Sequence, residues 1–260
     1  MAQHQPRKRF SQNFLKDDSV IFNIVSTIAP KPTDHLIEIG PGLGALTRPL
    51  LERAKALTAI ELDRDLVEYL KVLQTAYPDF QILSDDALKV DFQALKKDAR
   101  LLRIVGNLPY AISTPLIFHL LQYAHVIEDM FFMLQKEVVE RMVAVPGSKD
   151  YGRLSVMLQV AAQANLCFLV PPESFYPVPK VDSAIVQIKP YRVSPYPGLD
   201  KARFTQIVMA AFSQRRKSIR NALKKWVTAE DFEKLGIDSG LRAEVLPVSA
   251  FVALASVNSP

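Results

Sequence analysis

Cysteine is nearly missing from this chain of 260 residues: Cys167 stands alone, so no disulfide can form within it. Its setting, Leu166-Cys167-Phe168-Leu169-Val170, is that of a strand packing position, and a reducing compartment is expected. Long apolar runs are missing too. No segment approaches the roughly 18 apolar residues of a membrane span, and Met1 to Phe10 lacks the apolar stretch of a secretion signal, so a cytoplasmic protein without membrane contact is expected. The four histidines, His4, His35, His119 and His125, have no metal-ligand spacing among themselves or with Cys167, and no metal is expected. Acidic residues vanish from one interval. Between Asp200 and Glu230 there are none, while Lys201, Arg203, Arg215, Arg216, Lys217, Arg220, Lys224 and Lys225 all fall there. In a chain of formal charge +5, that block is a candidate phosphate-binding surface.

Apolar residues, in contrast, make up 49% of the chain, ample for a buried core. Asp17, Asp18 and Ser19 offer N-caps for a helix bearing Val20, Ile21, Ile24, Val25 and Ile28, which Pro30 and Pro32 end. Strands at 36–39, 56–61, 80–84, 101–106 and 128–134 then alternate with helices at 43–54, 64–76, 114–124 and 136–144. Strands spaced by helices predict an α/β domain on a parallel sheet covered on both faces. Further strands near 165–170 and 184–189, separated by the proline-rich Pro171 to Lys180, predict a hairpin at one sheet edge. Pro190, Pro195, Pro197 and Gly198 mark a linker, beyond which Phe204, Ile207, Val208, Ala211, Ile219, Leu223 and Trp226 read as short helices. The expected domains are residues 1–192 and a small all-helical unit, residues 193–260. In the latter Arg216, Arg220 and Lys224, spaced by four, are expected on one helical face with Lys217 and Arg215 adjacent, a stripe able to follow an RNA backbone. Arg7, Lys8, Arg9, Lys149 and Arg153 would extend it.

The first strand, Leu36-Ile37-Glu38-Ile39, runs into Gly40-Pro41-Gly42-Leu43-Gly44 and then a helix. Glycines there permit positive φ and close approach of a ligand to the backbone, at the strand end where open α/β sheets bind nucleotides. Gly40, Gly42 and Ala45 also satisfy a dinucleotide fingerprint, so the loop alone leaves the ligand open. Charge separates the candidates. A pyrophosphate needs free N–H donors and no nearby anion, whereas Pro41 removes a donor and Glu38 adds a carboxylate, which suits the cationic S-adenosylmethionine. Glu61, closing the second strand, can accept both ribose hydroxyls, and Asp86, after the third, can accept from an adenine amine. Asp85 and Asp86 could equally cap a turn.

Asn107-Leu108-Pro109-Tyr110 follows the apolar run Leu101 to Gly106. An amide that accepts hydrogen bonds, a proline that holds the preceding residue extended and an aromatic that can stack together suit an extruded adenine. The amine of adenine is a poor nucleophile because its lone pair is delocalised into the ring. The Asn107 oxygen and the Leu108 carbonyl are the expected acceptors that would free it, with Tyr110 stacked on the base. Phe175, in a loop stiffened by four prolines, is a second aromatic candidate that could sandwich the base, or a packing plug.

Gln12-Asn13-Phe14-Leu15, Glu38 to Gly44, Glu61-Leu62-Asp63, Asp86-Ala87, Asn107 to Tyr110 and Pro177 to Ala184, in this order, resemble the ribosomal RNA adenine dimethyltransferase family from about residue 7 to about residue 250. Phe212 to Leu223 resembles its bacterial small-subunit branch, which dimethylates N6 of two adjacent adenines in the 3′-terminal hairpin of 16S rRNA. Asp85 departs from the glycine expected before Asp86-Ala87. The resemblance implies a Rossmann-like S-adenosylmethionine-dependent methyltransferase sheet followed by a small helical domain. It implies donor contacts at Asn13, Leu15, Gly40, Gly42, Glu61, Asp86 and Asn107, with Tyr110 and Phe175 flanking the target adenine. It also implies small-subunit rRNA within a pre-30S particle as partner, and a monomer is expected. A non-catalytic RNA-binding platform, an adenine DNA methyltransferase and a nucleotide-dependent oxidoreductase are the rival readings.

Overall fold

The computed structural model describes residues 13–54, 56–214 and 216–257. Strands β1 (Phe14–Leu15), β2 (His35–Ile39), β3 (Leu57–Ile60), β4 (Phe80–Leu83), β5 (Leu102–Asn107), β6 (Ile127–Gln135), β7 (Ala162–Val170), β8 (Phe175–Tyr176) and β9 (Ser183–Pro190) make two sheets. Seven of them form one sheet in the order β4-β3-β2-β5-β6-β9-β7. The run from β4 to β6 is parallel, and β9 joins β6 antiparallel over six residue pairs, Met130↔Ile188 to Gln135↔Ser183. From β2 the chain steps outward to β3 and β4, then returns to place β5 on β2's other side. Ligands of open α/β sheets bind beyond the strand ends at such a reversal. The remaining strands, β1 and β8, pair with each other, Phe14 opposite Tyr176 and Leu15 opposite Phe175.

Each element forms for a local reason. Helix Asp18–Ile28 starts at Asp17, whose carboxylate accepts from Ser19 N and Val20 N, and buries Val20, Ile24, Val25 and Ile28 along one stripe. It ends where Ala29 turns left-handed just before Pro30. The expected helix 43–54 begins only at Thr47, because residues 40–44 form the glycine turn. The expected helix 64–76 is interrupted at Lys71, giving Arg64–Leu70 and Val72–Ala76. Buried β5 tolerates Arg103 because its guanidinium meets both oxygens of Asp129 on β6 (2.9 and 3.0 Å), Asp34 Oδ2 (2.6 Å) and the Ile28 carbonyl (2.8 Å). A fork with five donors is satisfied by that set where a lysine would not be.

The described chain divides into two compact units, residues 13–139 with 165–190, and residues 140–164 with 191–257. The expected boundary after residue 192 lies close to the last of the three crossings, but the second unit also takes in 140–164. Its core explains this. Ala144, Tyr151 and Val156 pack with Phe204, Ile207, Val208 and Phe251, and the Tyr151 hydroxyl donates to the Leu246 carbonyl at 2.9 Å. Beyond residue 190 the regular elements among the described residues are all helices, as expected.

At Gly106 the β5 backbone leaves no room for a side chain beside β2. A Cβ there would overlap the carbonyl oxygen of Ile39, a backbone atom that cannot swing aside. Gly106→Ala is therefore expected to destabilise the protein by roughly 1–3 kcal/mol through forced backbone shifts, read as a lowered midpoint of thermal denaturation.

Candidate active site

A cavity of about 390 Å³ opens at the carboxyl ends of β2, β3, β4 and β5, within the first unit. That volume is in the range of small-ligand sites. Its walls include Asn13, Phe14, Leu15, Glu38, Gly40, Gly42, Glu61, Asp85, Asp86, Asn107, Leu108, Pro109 and Tyr110. All the residues expected to hold the donor are thus brought together. Gly40 and Gly42 take positive φ, +66° and +59°, where a side chain would be strained. A Cβ on Gly42 would also press on the Phe14 ring at 3.2 Å.

The loop and the second strand end are one hydrogen-bonded unit. Glu61 accepts from Gly42 N through Oε2 (3.2 Å) and from Asp63 N through Oε1 (2.9 Å). Burial raises the Glu61 pKa, and those N–H groups oppose the rise. Each oxygen keeps a second lone pair, so a ribose diol can still be accepted. Asp86 caps a turn, its Oδ1 accepting from Leu88 N at 3.0 Å, and the residue also lines the cavity.

Glu38 differs. It is 1% exposed, and its Oε2 has no hydrogen-bond partner. Burial pushes its pKa up to about 8; the neighbouring Thr47 hydroxyl opposes the rise and the Glu61 carboxylate adds to it. Thr47 lies close enough for that influence, yet its Oγ1 is itself buried without an aligned partner. The cavity walls carry four carboxyl groups, Glu38, Glu61, Asp85 and Asp86, and no lysine, arginine or histidine among the described residues. Such a cavity suits a cation and repels a pyrophosphate.

At the reacting end, Asn107 Nδ2 donates to the backbone carbonyl of Asn13 at 3.0 Å. A carbonyl can only accept, so this bond fixes the amide orientation and leaves Oδ1 as the end that can accept from a ligand amine. Tyr110 is half-buried with its hydroxyl 2.8 Å from Ser183 Oγ, and burial raises its pKa against that hydrogen bond. Ser183 and the Asn13 carbonyl are positioning groups that sequence reasoning missed. Ser183 sat in a quoted motif without a role, and no local pattern announces a backbone acceptor 94 residues away.

Two expectations are corrected. Phe175 is 1% exposed, packed in the same core cluster as Leu15, its partner across the β1–β8 ribbon, and it does not line the cavity. It is a packing residue in this structure, because its strand register turns it inward while the adjacent Tyr176 is exposed. The basic stripe is not one helix either. The helix there is only Ile219–Ala222, since Ile219 N and Arg220 N donate to the carbonyls of Leu241 and Ser239. Arg216, Lys217, Arg220 and Lys224 are nonetheless all exposed, over buried Ile219 and Leu223. Arg215, Arg7, Lys8 and Arg9 lie outside the described residues. Among the described residues no cluster of three metal-ligating side chains occurs, and no helix is long and apolar enough to cross a membrane.

Comparison with known proteins gives one answer at three levels. The family model for ribosomal RNA adenine dimethylase matches residues 3–258. A ribosomal RNA small subunit methyltransferase A of Thiobacillus denitrificans is 54% identical over 253 residues, 96% of this chain and 97% of that protein. The protein of that name from Alcanivorax borkumensis is 51% identical, over 100% of this chain and 92% of its own length. Among solved structures, a dimethyladenosine transferase of Plasmodium falciparum superposes with TM-score 0.79 at 26% identity, covering 93% of this chain and 95% of its own. The 23S rRNA methyltransferase ErmE gives 0.74 at 26%, covering 94% and 98%. With a methyltransferase sheet, a cation-seeking cavity and an Asn-Leu-Pro-Tyr turn in common purpose, the chain belongs to the ribosomal RNA adenine dimethylase family.

Proposed function

We propose that this chain transfers methyl groups from S-adenosylmethionine to N6 of two adjacent adenines in the 3′-terminal hairpin of small-subunit rRNA, acting as a monomer on an immature 30S particle in the bacterial cytoplasm. The observation that carries the reading is a nucleotide-sized, largely apolar cavity whose charged side chains, among the described residues, are all carboxyls, ending at an asparagine whose amide is fixed with its oxygen turned to accept. The small-subunit substrate is supported by relatives at 51–54% identity whose names specify it.

When bound, S-adenosylmethionine supplies an electrophilic methyl group on a cationic sulfur. The residues present fit it. Gly40 and Gly42 would let it approach the backbone, Glu61 would accept from the ribose hydroxyls and Asp86 from the adenine amine, and Asn13, Phe14 and Leu15 would close one wall. The buried Glu38 carboxyl, whose Oε2 has no partner, would answer its positive charge.

The extruded target base would rest on the Tyr110 ring, which Ser183 steadies through the hydroxyl. Asn107 Oδ1 and the Leu108 carbonyl would accept hydrogen bonds from the N6–H groups, turning the nitrogen lone pair out of conjugation and toward the methyl carbon. An amide is too weak a base to remove a proton, so the proton leaves to water after transfer. Alignment and fixed dipoles supply the acceleration. Arg216, Lys217, Arg220 and Lys224 hold the RNA by its phosphates, with Arg215 a further contact by sequence.

Incubating the chain with labelled S-adenosylmethionine and, separately, free small-subunit RNA, immature small-subunit particles and DNA is expected to label the particles, with N6,N6-dimethyladenosine identified by mass spectrometry. Unaltered adenosine in all three would overturn the reading. Asn107→Ala is expected to slow methyl transfer about 10²–10³-fold, as loss of one preorganised polar contact does elsewhere, in single-turnover kinetics. Arg220→Ala combined with Lys224→Ala is expected to lower the slope of log RNA affinity against log salt by about 2 while donor affinity stays unchanged. Equal loss of both affinities would refute the division of labour.

A further inference from the structure

Two glutamates end adjacent strands in the donor cavity, and the protein treats them differently. Glu61 has a backbone N–H on each oxygen. Glu38, at the end of β2, is the more deeply buried of the two, and its Oε2 has no partner. The groups around it supply no positive charge. Glu61 faces it from β3 and Thr47 from the following helix; Asn107 on β5 is neutral; Asp85 and Asp86, after β4, share the cavity. An ionised carboxylate in that setting would be costly, and a carboxylic acid is not.

We propose that Glu38 is the group by which this site recognises the charge of its methyl donor: it is a neutral acid in the donor-free protein and gives its proton to solvent as the cationic methionyl part of the donor is seated. The proposal rests on the S-adenosylmethionine reading above. The step is a simple exchange, in which the Glu38 O–H bond breaks, the proton goes to water or buffer, and the carboxylate pairs with the incoming positive charge without any change in the donor's bonds. The raised pKa given by burial puts this exchange at neutral pH rather than near pH 4. Methyl transfer removes one positive charge from the ligand, so the spent product holds the Glu38 anion less well than the donor does. Glu38 is in this sense a selectivity residue favouring donor over product.

The test is isothermal titration of the whole chain with S-adenosylmethionine, S-adenosylhomocysteine and methylthioadenosine, which is uncharged, in buffers of different ionisation enthalpy at pH 7. Wild type is expected to release close to one proton more than Glu38→Gln on binding S-adenosylmethionine, and no more than the variant on binding methylthioadenosine. Smaller release with S-adenosylhomocysteine than with S-adenosylmethionine supports the proposal; equal release with both would place the charge at the ammonium and overturn the selectivity of Glu38 for donor over product. A second measurement needs no variant: wild-type affinity for S-adenosylmethionine is expected to rise about tenfold per pH unit between pH 6 and 8, then level off. Affinity independent of pH in that window, or equal proton release by wild type and Glu38→Gln, would overturn the proposal. Absence of any S-adenosylmethionine binding would instead sink the donor reading itself.

Discussion

The close contact of β2 with β5 is the constraint on which the site depends. Because residue 106 has no side chain, the β5 backbone can lie against the Ile39 carbonyl, and the two strand ends emerge side by side. One becomes the glycine turn and the other becomes Asn107; a Cβ on Gly40 would stand only 3.8 Å from the Asn107 carbonyl oxygen. Donor loop and acceptor turn are thus neighbours through sheet packing alone. At the opposite end of the same strand pair, Arg103 bound to Asp34 and Asp129 ties the strand starts together, so β5 is pinned at both ends. Positions held by a sheet vary little, and accuracy of position is what this chemistry requires.

The cavity spends stability to gain selectivity. Burying the carboxyl groups of Glu38 and Glu61 with no basic side chain in the wall is costly, an arrangement that a protein selected for stability alone would lack. Part of that cost is offset inside the fold. Glu61 is compensated by backbone donors of the turn it supports, and Asp86 by a donor of its own turn. What is left uncompensated is concentrated at Glu38, where the ligand's charge can offset it.

Much of this was legible in the chain itself, for physical reasons. The β2, β3, β5 and β6 strands are apolar runs bounded by breakers, and period distinguishes them from the helices between, so the α/β order was readable. The glycines, Glu61, Asp86 and Asn107 to Tyr110 were readable because ligand chemistry restricts which residues can stand at strand ends. Three things were not. β1 and β8 have two residues each, too short for any period, and they exist only because they pair across more than 150 positions of sequence. Hence the proline-rich surroundings of Phe175 left both a packing and a base-stacking reading open, and only the long-range pairing decides for packing. The helix expected around Arg220 is cut short by carbonyls of Ser239 and Leu241, which lie outside the window in which helical spacing is read. The role of residues 140–164 in the second unit is hidden in the same way, since their partners, Phe204 and Phe251, come much later.

The β1–β8 ribbon has one more consequence. Phe14 and Leu15 wall the donor cavity, and the carbonyl just before them, that of Asn13, aims the Asn107 amide. The strand that walls the cavity thus also sets which end of the Asn107 amide faces it, so a change in the ribbon that moved the Asn13 carbonyl would alter the reacting end without touching a residue of the Asn-Leu-Pro-Tyr turn.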